Sequence, residues 1–379
     1  MISFDFNLYS TPLLFAFLQG WIYALLFWVR AWREARASDW FFGGLLLTFT
    51  FEIWEYMLGF AGIEILWQEL DFFPRTFSLL LPPLAYFYLK SQINTSYRPV
   101  LRDLWHALPF GIYVLYHLFV YAQGPAFVQY WETTIQQPWK IDYVELTARF
   151  ASQIVYFVLA WQLYGEYRRW APTQFSDTET VQFVWFRNFL WAFLASNVVG
   201  WGMTLVDVLL ELDFWHDWWD ELFNAGLIYY LAITGYAQPQ TRKLQFEVPA
   251  MAEKPAGKME KLSEADLLNW KQRLETIMKE EKPWLEPELA LAELAQRLQT
   301  NASLLSAVVN GAFGKNFNDF VNEYRVEAVK HMLRDPAAAH YSLLGIGLEC
   351  GFNSKSTFNR VFKKLTGIAP GDYARGTKK

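Results

Sequence analysis

Two sets of side chains in this 379-residue chain have types and spacings that could do chemistry. The first is embedded in apolar runs: Glu52 and Glu55, Glu145 and Arg149, Asp207 and His117. Residues three or four apart share a helix face, so each of the two pairs presents its polar heads together. Charge in an apolar medium is costly enough that such groups face a bundle interior, pair, or line a wet cavity. Three roles fit: pairs that hold helices together, a ligand cavity in which a ligand carboxylate would match the Arg149 fork, or a proton or ion relay. His106 and His117 are eleven apart and can lie near one helix face, but a metal site needs further ligands that this spacing does not supply. The single cysteine, Cys350, removes any internal disulfide and any thiolate zinc site. No nucleophile elbow or phosphate loop occurs, so neither enzymatic activity nor a metal or other cofactor is expected. The second set is Lys355-Ser356-Thr357-Phe358-Asn359-Arg360-Val361-Phe362-Lys363-Lys364. Helical spacing makes Phe358, Val361, Phe362 and Leu365 a core face, leaving Lys355, Thr357, Asn359, Arg360, Lys363 and Lys364 to reach solvent, base edges or phosphates.

The elements that must position these residues divide sharply. Residues 1–238 carry 12 Lys+Arg against 21 Asp+Glu and 17 of the 19 Trp, whereas residues 239–379 carry 21 against 17. Disorder and collagen-like repeats are excluded by a 53% hydrophobic content. Seven apolar runs near the length that crosses a bilayer cover about 8–30, 40–62, 76–93, 104–123, 142–167, 185–210 and 218–238. Pro82-Pro83 interrupts the third. No Lys or Arg precedes Arg30, which argues against a cleaved leader and for a retained first span. Arg30, Arg33, Arg36, Lys90, Arg98, Arg102, Arg168, Arg169 and Arg187 fall in alternate loops. The other loops hold only Arg75 and Lys140, together with eleven carboxylates. Basic residues resist translocation, so the N-terminus is expected outside and the C-terminus in the cytoplasm. The outer loop from Trp215 to Glu221 reads as interfacial anchoring with a solvated charge run in preference to a cap on a ligand.

Pro239, Pro249, Pro255 and Gly257 punctuate a polar stretch, so 239–261 reads as a linker between a bundle (1–238) and a tail (262–379). Amphipathic helices are expected in the tail at 263–281, 290–298, 303–309, 316–333, 343–349 and 355–365. Ser263 opens the first with Asp266 at capping-box distance, and that helix suits a lever or a dimer contact. Two helix pairs with tight turns, 289–309 and 343–365, have the plan of helix-turn-helix units, whose second helix lies in the DNA major groove.

The run from Gly351 to Tyr373, with Gly351-Phe352-Asn353-Ser354 ahead of the basic helix and Leu365-Thr366-Gly367-Ile368-Ala369-Pro370-Gly371-Asp372-Tyr373 after it, closely resembles the signature of arabinose-regulator (AraC/XylS-type) transcription factors. Similarity extends back through Tyr324-Arg325-Val326 to about Trp284. The resemblance implies two helix-turn-helix units joined by a long helix, here Asn316 to Leu333; with the seven apolar runs, the expected fold is an all-α chain in which a seven-helix transmembrane bundle precedes that domain. It implies DNA contacts from Ser303, Ser306, Asn310, Ser354, Lys355, Ser356, Thr357, Asn359, Arg360, Lys363 and Lys364. Leu304 and Ala307 stand where the family usually has polar or basic groups, so the first recognition helix is expected to contribute packing or phosphate contacts. Gly347 replaces an expected Ala, at about 1 kcal/mol by helix propensity. The whole reads as a one-component regulator in the bacterial cytoplasmic membrane. Its implied partners are promoter DNA, the lipid bilayer, an external or membrane signal, and a second copy in a homodimer. An intramembrane enzyme or a transporter-like bundle with a regulatory tail is the alternative. Compartment reporters fused after Lys140 and after Gln238 are expected to report opposite sides of the membrane; the same side for both would overturn the span count or the orientation.

Overall fold

The computed structural model describes residues 4–178, 183–238 and 263–377, so the linker expected at 239–261 lies outside the described residues. The chain is all-α, with no strand among the described residues beyond an isolated bridge between Phe175 and Ala290. It divides into two compact units: Met1–Tyr164 with Trp185–Glu247, and Gly165–Val184 with Val248–Lys379.

Each of the seven apolar runs falls on a helix: α1 (Ser10–Glu34), α2 (Ala37–Phe60), α3 (Leu81–Ile93), α4 (Leu108–Tyr121), α5 (Ile141–Gln174), α6 (Phe183–Leu210) and α7 (Trp218–Tyr236). Among the described residues, Ser10–Glu34, Leu101–Tyr121 and Val184–Leu210 are the stretches long and apolar enough to cross a membrane. Pro82-Pro83 does not interrupt α3 but starts it, because both prolines stand in the first turn, where backbone N–H groups have no acceptor to lose. With 13 residues, α3 is about 20 Å long by helical rise, shorter than a hydrocarbon core of about 30 Å.

In α1 the buried positions are Ser10, Leu13, Ala16, Gly20, Ala24, Phe27 and Ala31, an uninterrupted three-to-four spacing that makes one stripe. Small residues let the helices close up, since a Cβ on Gly20 would lie 2.2 Å from Thr50 of α2 and one on Gly235 of α7 would lie 2.7 Å from Phe42. Arg30 clamps the same three helices. Its Nε donates to the fully buried Asp39 at 2.6 Å, and its Nη1 donates to the carbonyl of Tyr236 at 2.9 Å. The guanidinium also lies 4.6 Å from the Tyr236 ring centre.

The second unit contains α8 (Glu264–Glu280), α9 (Leu291–Arg297), α10 (Ala302–Phe313), α11 (Phe317–Arg334), α12 (Leu343–Glu349), α13 (Lys355–Thr366) and α14 (Pro370–Thr377). Side-chain caps start five of them: Ser263, Asn301, Asn316, Ser342 and Ser354 each accept a first-turn backbone N–H. Gly314 and Gly367 end α10 and α13 in the left-handed conformation that glycine adopts without strain. Two cores result. Leu274, Ile277 and Met278 of α8 join α9, α10 and the first half of α11, so the apolar stripe of α8 is buried inside the unit. Val326 and Val329 of α11 join Ile346, Cys350, Phe352, Phe358, Val361 and Phe362 in the second core. Leu365, expected in that core, is 40% exposed, because it lies in the last turn of α13 beyond the packed residues.

Gly347 lies where α12 crosses α13, and a Cβ there would sit 2.9 Å from the Phe358 ring. The glycine is therefore a packing requirement and not a loss of helix propensity alone. Gly347→Ala, although it adds about 1 kcal/mol of helix propensity, is expected to destabilise the chain by about 1–3 kcal/mol through overpacking. Thermal unfolding followed by circular dichroism checks this; a raised midpoint would show that Phe358 moves aside freely.

Candidate functional site

Helix α13 separates its residues by burial. Phe358, Val361 and Phe362 point into the core, while Lys355, Ser356, Asn359, Arg360, Lys363 and Lys364 line the exposed face. Two expected contacts change role. Thr357 is 1% exposed: its backbone N–H donates to the N-cap Ser354 Oγ, and that hydroxyl donates to Thr357 Oγ1 at 3.1 Å. The local cap thus draws Thr357 inward, and Ser354 is half-buried by the same bond. Lys364 is held 2.6 Å from Asp319 of α11, whereas Lys355, Arg360 and Lys363 make no ion pair among the described residues. Four cations on one face of a 12-residue helix make a surface suited to a polyanion.

The matching helix α10 buries Leu305, Val308 and Val309 and presents Ser303, Ser306 and Asn310 without any charge. Asn310 Nδ2 donates to Ser306 Oγ at 3.5 Å, and Leu304 and Ala307 are half-buried beside them. The electrostatic attraction therefore lies with α13.

Arg325 on α11 holds the unit in register. It is 1% exposed, and its donors reach the carbonyls of Trp284 at 2.8 Å and Glu286 at 2.7 Å and the hydroxyl of Ser176 at 3.0 Å. Ser176, whose own backbone N–H donates to the carbonyl of Leu289 at 3.1 Å, also accepts at its carbonyl from Asn318 Nδ2 at 2.7 Å. Burial pulls the Arg325 guanidinium down to about 10, opposed by the nearby Asp177, and at neutral pH it remains charged. Sequence spacing carried no sign of the 175–177 contact, which pairs residues about 150 positions apart.

In the first unit, Glu52, Glu55 and Arg149 line a cavity of about 270 Å³ with Arg75, Gln153, Asn197, Asp220, Glu221 and Asn224. A second, of about 300 Å³, is lined by Glu55, Arg75, His117, Glu132, Asp142, Glu145 and Arg149. Glu145 bonds His117 Nε2 at 3.1 Å, while His117 Nδ1 faces the carbonyl of Phe72. His106 Nδ1 bonds the Tyr156 hydroxyl, so the two histidines do not share a site. Asp207 is exposed and lines neither cavity, because α6 turns that residue away from the bundle interior. Conversely, Asp220 and Glu221, read from sequence as a solvated run, lie in the first turn of α7 and face the cavity.

Residues 294–376 match the family described as "Helix-turn-helix domain". The chain carries an AraC-type helix-turn-helix domain at its C-terminus. Over 88 residues it is 35% identical to the HTH-type transcriptional regulator YtdP of Bacillus subtilis, covering 23% of this chain and 11% of that protein. Over 85 residues it is 29% identical to an AraC-like transcription regulator of Streptomyces antibioticus and 28% identical to one of Streptomyces lividans, in each case covering 22% of this chain and 27% of the relative. The chain thus spans well under two thirds of the length of these relatives. No solved structure matches it. Within the AraC-type domain, α10 and α13 occupy the second-helix positions of the two helix-turn-helix units, and α11 joins them.

Separate effects are expected from two exposed cations of α13. Arg360→Ala is expected to cost about 1–3 kcal/mol in DNA affinity and to relax sequence preference at one position, as for a base contact. Lys363→Ala is expected to weaken binding to all sequences alike and to lower the salt slope by about one, as for a phosphate contact. Titrations at several salt concentrations check both; an unchanged footprint and affinity for Arg360→Ala would remove that residue from the reading set.

Proposed function

We propose that this chain is a membrane-embedded one-component transcription regulator, in which the bundle receives an external or membrane signal and the AraC-type domain binds promoter DNA at the inner face of the membrane. The observation that carries the DNA half is the exposed cationic face of α13 on a helix-turn-helix scaffold. The names of the relatives, transcription regulators in Bacillus and Streptomyces, support the same reading. Ser303, Ser306, Asn310, Ser356 and Asn359 are the polar contacts of this reading, and Lys355, Arg360, Lys363 and Lys364 the basic ones.

Membrane embedding is supported by unpartnered apolar faces. On α1, Phe15, Ile22, Leu25, Val29 and Trp32 are exposed, and on α6 Val184, Trp191, Val198 and Leu205 form an exposed stripe at intervals of seven. Soluble proteins rarely leave such contiguous apolar surface in water, and lipid is the solvent that suits it. Nine basic residues in one set of loops against two in the other support an outside N-terminus and a cytoplasmic domain. Signal transfer to the domain requires the ligand to bind two arrangements of the bundle with different affinity. Residues 165–178 belong to the second unit and continue from the first in sequence, which suits them to report that difference, because Ser176 among them is bonded to Arg325.

Fractionation combined with genome-wide mapping of bound sites tests this reading. The full chain is expected to sediment with the inner membrane after a high-pH wash and to enrich a defined set of promoters. Residues 258–379 alone are expected to enrich the same sequence motif from the soluble fraction. Full chain in the soluble fraction, or no promoter enrichment, would overturn it.

A further inference from the structure

We propose that the 270 Å³ cavity lined by α2, α5, α6 and α7 is a binding site for a small primary-amine cation that also carries an oxygen acceptor. The proposal rests on the sensing reading above and names the chemistry of what is sensed.

Charge is the first ground. Glu52, Glu55, Asp220 and Glu221 line the cavity against Arg75 and Arg149, so formal negative charge is in excess. The protein answers part of it internally. Arg75 Nε lies 3.5 Å from Glu55 Oε1, and Glu52 Oε1 accepts the backbone N–H of Phe77 at 2.9 Å. Among the neutral groups, Gln153 Oε1 is taken by the Trp201 indole N–H at 2.6 Å, and Ser196 donates to Asn224 at 3.4 Å.

What remains is specific. Glu221 is 6% exposed, and its buried Oε2 has no hydrogen-bond partner; the same holds for Asp220 Oδ1 and Arg149 Nε. A buried polar atom without a partner is expensive, and more so on a charged group. The three orphans are two carboxyl oxygens on adjacent residues of one helix turn and one guanidinium N–H on another helix. A primary ammonium brings three donors and a positive charge, enough for both carboxylates. An oxygen on the same molecule would take the Arg149 N–H. A simple carboxylic acid would satisfy Arg149 but add negative charge beside Asp220 and Glu221. A bare metal ion is disfavoured, because no group of three His, Cys, Asp or Glu side chains among the described residues is placed to hold one. Phe51, Phe150 and Trp201 in the wall suit the carbon skeleton between the two polar ends. The volume admits a molecule of amino-alcohol or small amino-acid size with room to spare.

Thermal unfolding of the full chain in nanodiscs of phosphatidylcholine and phosphatidylglycerol, lipids without a primary amine, titrated with ethanolamine, 4-aminobutyrate, butyrate and ethylene glycol, tests the site. The two amines are expected to raise the midpoint saturably, and the two amine-free compounds to leave it unmoved. Glu221→Gln and Asp220→Asn, each a neutral near-isostere, are expected to weaken the amine effect about tenfold or more. Their melting curves without amine report whether they fold. No shift with either amine, an equal shift with butyrate, or a shift that survives both substitutions overturns the site. A promoter reporter separates this from the parent reading: amine binding with no change in output leaves the site standing and overturns sensing by it.

Discussion

A buried guanidinium must find acceptors for its donors, because an unpaired charge inside a protein is far more costly than the bonds it makes are favourable. Arg325 finds most of them in backbone carbonyls, those of Trp284, Glu286, Pro287 and Ser176, with the Ser176 hydroxyl and Asn322 Oδ1 completing the set. A carbonyl cannot rotate away without moving its chain, so one side chain on α11 sets the path of the turn entering the first helix-turn-helix and of the segment around Ser176. The second helix-turn-helix is seated on the same place. Gly351, in the turn between α12 and α13 with φ +84°, brings its backbone so close that a Cβ would lie 2.3 Å from the Trp284 carbonyl oxygen. The Phe352 ring then lies 6.0 Å from the Arg325 guanidinium. The register between α10 and α13, which a double-groove DNA contact requires, follows from that arrangement.

In the bundle the corresponding constraint is close approach. Glycine at positions 20 and 235 admits Thr50 and Phe42, and Arg30 with Asp39 pins α1, α2 and α7 at one end. Polar residues away from that packed seam gather in the cavities around Arg149, where some are paired, as Arg75 is with Glu55 and His117 with Glu145, and some are not. Rigid packing on one side and incompletely satisfied polar groups on the other is an arrangement that the proposed sensing role would use, since a ligand acts only where the protein's own bonding is unfinished.

Much of this molecule was legible from local pattern alone. The cap at Ser263 and the three-to-four spacing of apolar residues placed α8 to α13 to within a few residues, because caps and stripes are properties of neighbouring residues, whereas α14 was not expected. The seven apolar runs marked seven helices for the same reason. Composition also separated the Trp-rich half from the basic half, and the Gly351–Tyr373 signature pointed to the AraC-type domain that the comparisons with relatives bear out.

What only the tertiary structure decided is which surface covers which face. Periodicity showed that α13 is amphipathic, but Leu365 is left exposed and Thr357 is drawn in, since the edge of a stripe depends on neighbours distant in sequence. Asp207 and Glu221 exchanged roles in the same way: an acid within an apolar run faces outward, and one beside an aromatic loop is buried against the cavity. The Ser176 contact to Arg325 spans 149 residues of chain and leaves no local mark. Hydrogen-bond patterns within a turn are written in adjacent residues, whereas burial and charge partnership are set by the packing of the whole unit.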